Sequence, residues 1–97
     1  MTPQEQVLRG EEAARLLENP VLIEAFTAIE QEYTNLWKQT KASDEAAREK
    51  LWLSIRQLQM VQAHLRTAIQ TGKASRATLA QRAKQALSEA GSRLRRD

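Results

Sequence analysis

An all-α protein is what this sequence predicts. Ala, Leu, Gln, Glu, Lys and Arg dominate its 97 residues, while only three glycines and two prolines occur, a vocabulary that favours helices over sheets. Between residues 22 and 69 the apolar positions advance by alternating steps of four and three, which holds one stripe on one side of a helix. No β-branched run alternates between turn residues as a half-buried strand would. The length suits one small domain and leaves no room for two. A domain this small buries only about two thirds of the surface its unfolded chain exposes, so a partner would add needed stability. With no cysteine, disulfides are excluded as staples, as are thiolate metal sites.

The elements follow in chain order. Val7, Leu8, Ala13, Leu16 and Leu17 recur at helical spacing and predict a short helix over residues 4–18, or one that starts only after Gly10, because glycine costs about 1 kcal/mol against alanine inside a helix. Asn19-Pro20 punctuates, with asparagine as N-cap and proline pre-set for the first helical position. A second helix then carries Leu22, Phe26, Ile29, Tyr33, Leu36 and Thr40 on one stripe. The stretch "QTKASDEAA" interrupts it, with Ser43 or Asp44 as the next N-cap and Asp44, Glu45 and Glu49 near the positive end of the new helix dipole. The third helix carries Leu51, Ile55, Leu58, Gln62, Leu65 and Ile69, and Thr71-Gly72 supplies a C-terminal stop.

Two striped helices joined by so short a connection return on each other, which predicts an antiparallel, coiled-coil-like helical hairpin. Folding about Ala42 places Tyr33 near Leu51, Ile29 near Ile55, Phe26 near Leu58 and Leu22 near Gln62. The second helix spans about 31 Å and the third about 42 Å. Leu65 and Ile69 therefore overhang, and Leu16 and Leu17 are the residues available to cover them.

Phe26, Tyr33, Trp37, Trp52 and Gln62 are the candidate interface residues. Trp37 and Trp52 lie beside the stripes, where they either widen the core face or anchor contact with a second protein. Gln62 interrupts an apolar stripe, either reaching water at the open end of the hairpin or pairing across a dimer to set its register.

After "GKAS" a fourth helix is expected with Ser75 as cap and Leu79, Ala83, Ala86, Leu87, Ala90 and Leu94 on one side. Small side chains bury little area, so this helix is expected to be weakly packed. The chain thus divides into a hairpin core with its N-terminal helix over residues 1–73 and a basic C-terminal helix or tail over residues 74–97. Up to Gly72 there are eight basic against ten acidic residues, whereas from Lys73 onward there are seven against two. Lys73, Arg76, Arg82, Lys84, Arg93, Arg95 and Arg96 could together neutralise phosphates without reading sequence. An acidic protein surface would serve the same cations, including the face made by Glu11, Glu12, Glu18, Glu24, Glu30 and Glu32. Cations near a helix C-terminus are also favoured by the dipole alone.

The residues argue against catalysis. His64 is the single histidine, with no carboxylate three or four positions away, and neighbouring pairs such as Glu11 and Glu12 point to different sides of a helix. No cofactor, no metal and no small-molecule substrate is expected, since neither a ligand set nor a glycine-rich phosphate loop is present. No apolar run approaches a membrane span and the first residues form no signal sequence, so a soluble, unprocessed protein is expected.

The phrases "RGEEAARLLENP", "AREKLWLSIRQLQ" and "VQAHLRTAIQTGK", within residues 9–73, resemble small helical proteins encoded by tailed bacteriophages near their head and DNA-packaging genes. The resemblance implies a bacterial host cytoplasm or a virion as the setting, and assembly or packaging as the task. It brings no catalytic residues and does not reach the basic tail. The expectation is a homo-oligomer that binds nucleic acid or another phage protein. The alternative is a structural or inhibitory module that docks on protein alone.

Overall fold

The computed structural model describes residues 1–96, apart from the side chain of Arg96, and is three helices with no strand among the described residues: α1 (Pro3–Glu18), α2 (Pro20–Gln39) and α3 (Glu45–Arg96). Each start follows from a side chain that accepts an otherwise orphaned amide. Thr2 Oγ1 accepts from the Glu5 N–H at 3.2 Å, and Pro3 occupies the first helical position. Asn19 Oδ1 accepts from the amides of Val21 at 2.9 Å and Leu22 at 3.3 Å ahead of α2. Asp44, rather than Ser43, caps α3 by accepting from the Ala47 N–H at 3.2 Å.

The molecule is a rod of 82 × 26 × 17 Å. Its radius of gyration is 22.5 Å, against about 12.5 Å for a compact domain of this length. The cause is α3, whose 52 residues extend about 78 Å. α2 doubles back on the first part of α3 through residues 40–44, and α1 packs on its middle more closely than α2 packs on its start.

Two expectations fail together at Gly72 and Ser75. Gly72 does not stop a helix, and Ser75 does not cap a new one: both lie inside α3, which runs unbroken across the boundary expected between residues 73 and 74. No glycine has positive φ, so the left-handed residue that ends helices of this kind is missing there. The basic segment is the continuation of one long helix, not a separate element. Likewise, α1 does not wait for Gly10 but passes through it.

The physical reason is the way α1 crosses α3. Gly10, Ala13, Gly72 and Ser75 are the only described residues that are fully buried, and all are small. A Cβ placed on Gly10 would stand 2.9 Å from the Ala68 carbonyl oxygen and 3.0 Å from the Gly72 Cα, while one on Gly72 would stand 3.0 Å from both the Gln6 carbonyl oxygen and the Gly10 Cα. Backbone therefore rests on backbone, and each glycine turns an α-hydrogen toward a carbonyl of the other helix, a weak but reciprocal contact. Ser75, 8% exposed, donates its hydroxyl hydrogen to Gln6 Oε1, so the buried polar group is satisfied. Contacts descend on α3 as they ascend on α1, from Gln6 with Ser75 through Gly10 with Gly72 to Leu17 beside Gln62 and Arg66. The two helices run antiparallel.

The α2–α3 pair is looser. Leu51, Ile55, Leu58, Gln62, Leu65 and Ile69 are all half-buried, and Leu22, Phe26 and Tyr33 face them from α2 in the same state. The α2 stripe drifts toward its C-terminal end: Trp37 is half-buried while Leu36 is 43% exposed, so Trp37 takes the facing position expected of Leu36. No large side chain is fully buried, because two helices can shield only one side of each other.

The crossing predicts opposite outcomes for two glycines. In urea unfolding Gly72→Ala lowers stability by up to about 2 kcal/mol, because overpacking against backbone costs about 1–3 kcal/mol and offsets the helix-propensity gain of about 1 kcal/mol. Gly91→Ala meets only the flexible end of Arg95 at 3.5 Å, so its midpoint stays or rises.

Candidate functional site

The two groups of residues singled out in the sequence are spread along the rod, from Trp37 and Trp52 near the turn between α2 and α3 to Arg93 and Arg95 near the other end of α3. Near the turn between α2 and α3, Trp37 is held from three directions. Its carbonyl accepts from the Thr40 backbone N–H at 3.2 Å and from Thr40 Oγ1 at 2.6 Å. The Arg48 guanidinium lies 4.0 Å from the centroid of its ring and donates to Thr40 Oγ1 at 3.0 Å. Arg48 thus clasps the start of α3 to the end of α2 by a cation–π contact and a charge-assisted hydrogen bond. Trp52 points elsewhere: it is 53% exposed, and its charged neighbour is Arg56 one turn on, at 5.6 Å.

Gln62 lies half-buried at the other end of the α2–α3 pair, beside Leu17, Leu22, Phe26 and Arg66 in a shallow cleft between the three helices. Phe26 lines the same cleft, and Tyr33 is half-buried. Of the five candidate interface residues, Trp52 alone presents most of its side chain to solvent.

The basic residues divide by position on α3. Lys73 and Arg76 lie on the part covered by α1, and Arg76 is paired there with Glu11 of α1. Both partners are largely exposed, so the pair contributes little to stability, but it is the only ion pair among the described residues and it engages one of the expected ligand-binding cations. Arg82, Lys84, Arg93 and Arg95 lie beyond α1. From residue 80 to residue 95 every described side chain except half-buried Gly91 is exposed. This arm projects as a single helix about 24 Å long. The Arg96 side chain lies outside the described residues.

Helical geometry sorts the arm's charges. Lys73, Lys84 and Arg95 follow at intervals of eleven residues, which is close to three turns and about 16.5 Å. Arg82 and Arg93 repeat the same interval on the other side. Between the two rows run Ala83, Ala86, Leu87, Ala90 and Leu94, with Leu87 75% and Leu94 77% exposed. The single acidic side chain of the arm is Glu89.

Among the described residues no three His, Cys, Asp or Glu side chains come together as a metal site, and His64 is exposed. No helix is long and apolar enough to cross a membrane. Sequence reasoning missed the residues that position everything else, Gln6, Gly10, Gly72 and Ser75. Their signal was the spacing of small residues by three and four, Gly10 to Ala13 and Ala68 to Gly72 to Ser75. No family model, characterised protein or solved structure matches this chain.

The two tryptophans are expected to behave differently. Trp37→Ala lowers unfolding stability by about 2 kcal/mol, through lost packing and an Arg48 left without its ring, whereas Trp52→Ala costs less than about 0.5 kcal/mol, as exposed positions do. Urea titration monitored by circular dichroism reads both.

Proposed function

We propose that the chain is a non-enzymatic binding protein in which the three-helix body is a mount and the basic arm of α3 is the grip, engaging nucleic acid through its phosphates. The observation that carries this reading is the arm itself, which holds Arg82, Lys84, Arg93 and Arg95 on an exposed, otherwise unoccupied helix against the single carboxylate of Glu89. Cations spaced along a helix neutralise backbone phosphates and release condensed counterions, a gain that does not depend on base sequence. No aromatic side chain lies on the arm to stack a base, so little sequence preference is expected.

Two further parts of the reading rest on less. A coiled-coil-like contact of the hairpin with other copies is supported by the exposure of Val21, Trp52, Met60 and Val61, apolar surface that an isolated hairpin leaves wet. The setting, assembly or DNA packaging of a tailed phage in its bacterial host, comes from the resemblance of residues 9–73 and from nothing in the fold. A second reading, in which the basic segment docks on an acidic protein surface and binds no nucleic acid, is favoured by the Arg76–Glu11 pair, where this segment already meets a carboxylate.

Fluorescence anisotropy with a short DNA duplex separates the two. If the four arm cations each contact a phosphate, the logarithm of affinity falls against the logarithm of salt with a slope of about −3.6, roughly a hundredfold loss between about 50 and 200 mM. Replacing Arg82, Lys84, Arg93 and Arg95 by Gln together abolishes binding while circular dichroism stays that of the parent. Wild-type affinity in that variant, or affinity indifferent to salt, removes the arm as the grip.

A further inference from the structure

The arm's charges account for its flanks but not for the row between them. Two leucines three quarters exposed, Leu87 and Leu94, stand on a helix that meets no other part of its own chain. This row continues the seam on which α1 packs, since Ala68, Gly72, Ser75 and half-buried Leu79 lead into it along the same side of α3.

Its spacing is symmetric. Leu79, Ala83, Ala86, Leu87, Ala90 and Leu94 are separated by four, three, one, three and four residues, a pattern that reads the same in both directions. A helix face of this kind is complementary to itself when two copies run antiparallel about a two-fold axis between residues 86 and 87. Leu79 then meets Leu94 of the second copy, Ala83 meets Ala90, and at the centre Ala86 of each copy meets Leu87 of the other. An isologous two-fold contact has this property by definition, since each residue i that touches j is matched by j touching i.

Charge agrees with the same register. Glu89 lies on the flank that also carries Arg82 and Arg93. In an antiparallel pair each flank faces its own counterpart, which brings Glu89 opposite Arg82 of the second copy and Arg82 opposite its Glu89, about 3 Å apart along the axis. Lys84 and Arg95 lie on the opposite flank. A parallel pair instead sets the Arg82 flank against the Lys84 flank, which opposes Arg82 to Lys84 and Arg93 to Arg95 of the second copy.

We propose that the face formed by Leu79, Ala83, Ala86, Leu87, Ala90 and Leu94 is a self-association surface, on which the α3 arm of a second copy of this chain docks antiparallel. The strip is about 24 Å long and about 10 Å wide, small against the roughly 800 Å² per partner of a standard interface, so the pair forms weakly and at high protein concentration. Four basic residues against one acidic one on each arm oppose the pairing, and added salt screens that repulsion. Self-association therefore tightens with salt, opposite to the trend for nucleic-acid binding, and does not require that binding to be real.

The absence of cysteine makes the test clean. Single variants Ala86→Cys and Leu94→Cys of the full chain are oxidised mildly without nucleic acid, in low and in high salt, and disulfide-linked dimer is quantified. In the antiparallel pair the two residues 86 lie beside the two-fold axis, whereas the two residues 94 are about 22 Å apart. Ala86→Cys is expected to cross-link readily, more so at high salt, and Leu94→Cys to stay monomeric. Adding Leu87→Gln, which alters a side chain that is exposed in the monomer and so leaves the fold intact, cuts the Ala86→Cys yield by about tenfold, as expected when a leucine is lost from each side of a small contact. Equal cross-linking at 86 and 94 establishes a parallel or random encounter and overturns the proposal. So does absence of cross-linking at 86, or a yield untouched by Leu87→Gln.

Discussion

Everything in this molecule hangs on two glycines that touch. At Gly10 and Gly72 the backbones of α1 and α3 meet with no side chain between them, and this contact decides where α1 lies on a helix that would otherwise be a featureless rod. Burial of large apolar groups is not what secures it, since the buried residues among those described are Gly10, Ala13, Gly72 and Ser75. Close approach replaces area with many short dispersion contacts, which fall off steeply as the helices separate. Such packing is intolerant of added volume and therefore specific in position.

The position of α1 then determines the rest. Because Asn19 and Pro20 leave no slack between α1 and α2, placing α1 on the middle of α3 places α2 on its start. The clasp of Arg48 on Trp37 and Thr40 closes the far end. What remains of α3 beyond α1 has no partner, and this remainder carries the net positive charge. Neither α1 nor α2 reaches this arm, while the body is electrostatically close to neutral.

An uncovered amphipathic helix of this kind can serve two ligands without conflict. Its two cationic flanks suit a polyanion, and the apolar row between them suits another helix of the same design. The two proposed uses share the arm but not the same side chains, apart from Arg82, and are expected to respond to salt in opposite directions. A polyanion that neutralises the flanks would also relieve the repulsion between paired arms, so the two proposed uses would reinforce each other.

Much of the local structure was legible in the residues. The caps at Asn19 and Asp44, the half-buried row from Leu51 to Ile69 and the helical character throughout all follow from rules that act within a few positions along the chain. The basic character of the last residues is likewise a property of composition. Gly72 was misread for a definite reason: within its own neighbourhood a glycine followed by polar residues is a stop, and only a second helix pressing against it makes the missing Cβ an asset in mid-helix. Ser75 was misread as a cap on the same ground, though its hydroxyl is spent on Gln6, far away in the chain. The sequence by itself determined which residues would be helical and where charge would accumulate, because propensity, capping and charge are local. The tertiary structure alone decided that α3 is one unbroken helix and that Arg76 belongs to the body while Arg82, Lys84, Arg93 and Arg95 stand free, because both depend on a contact between residues more than sixty positions apart.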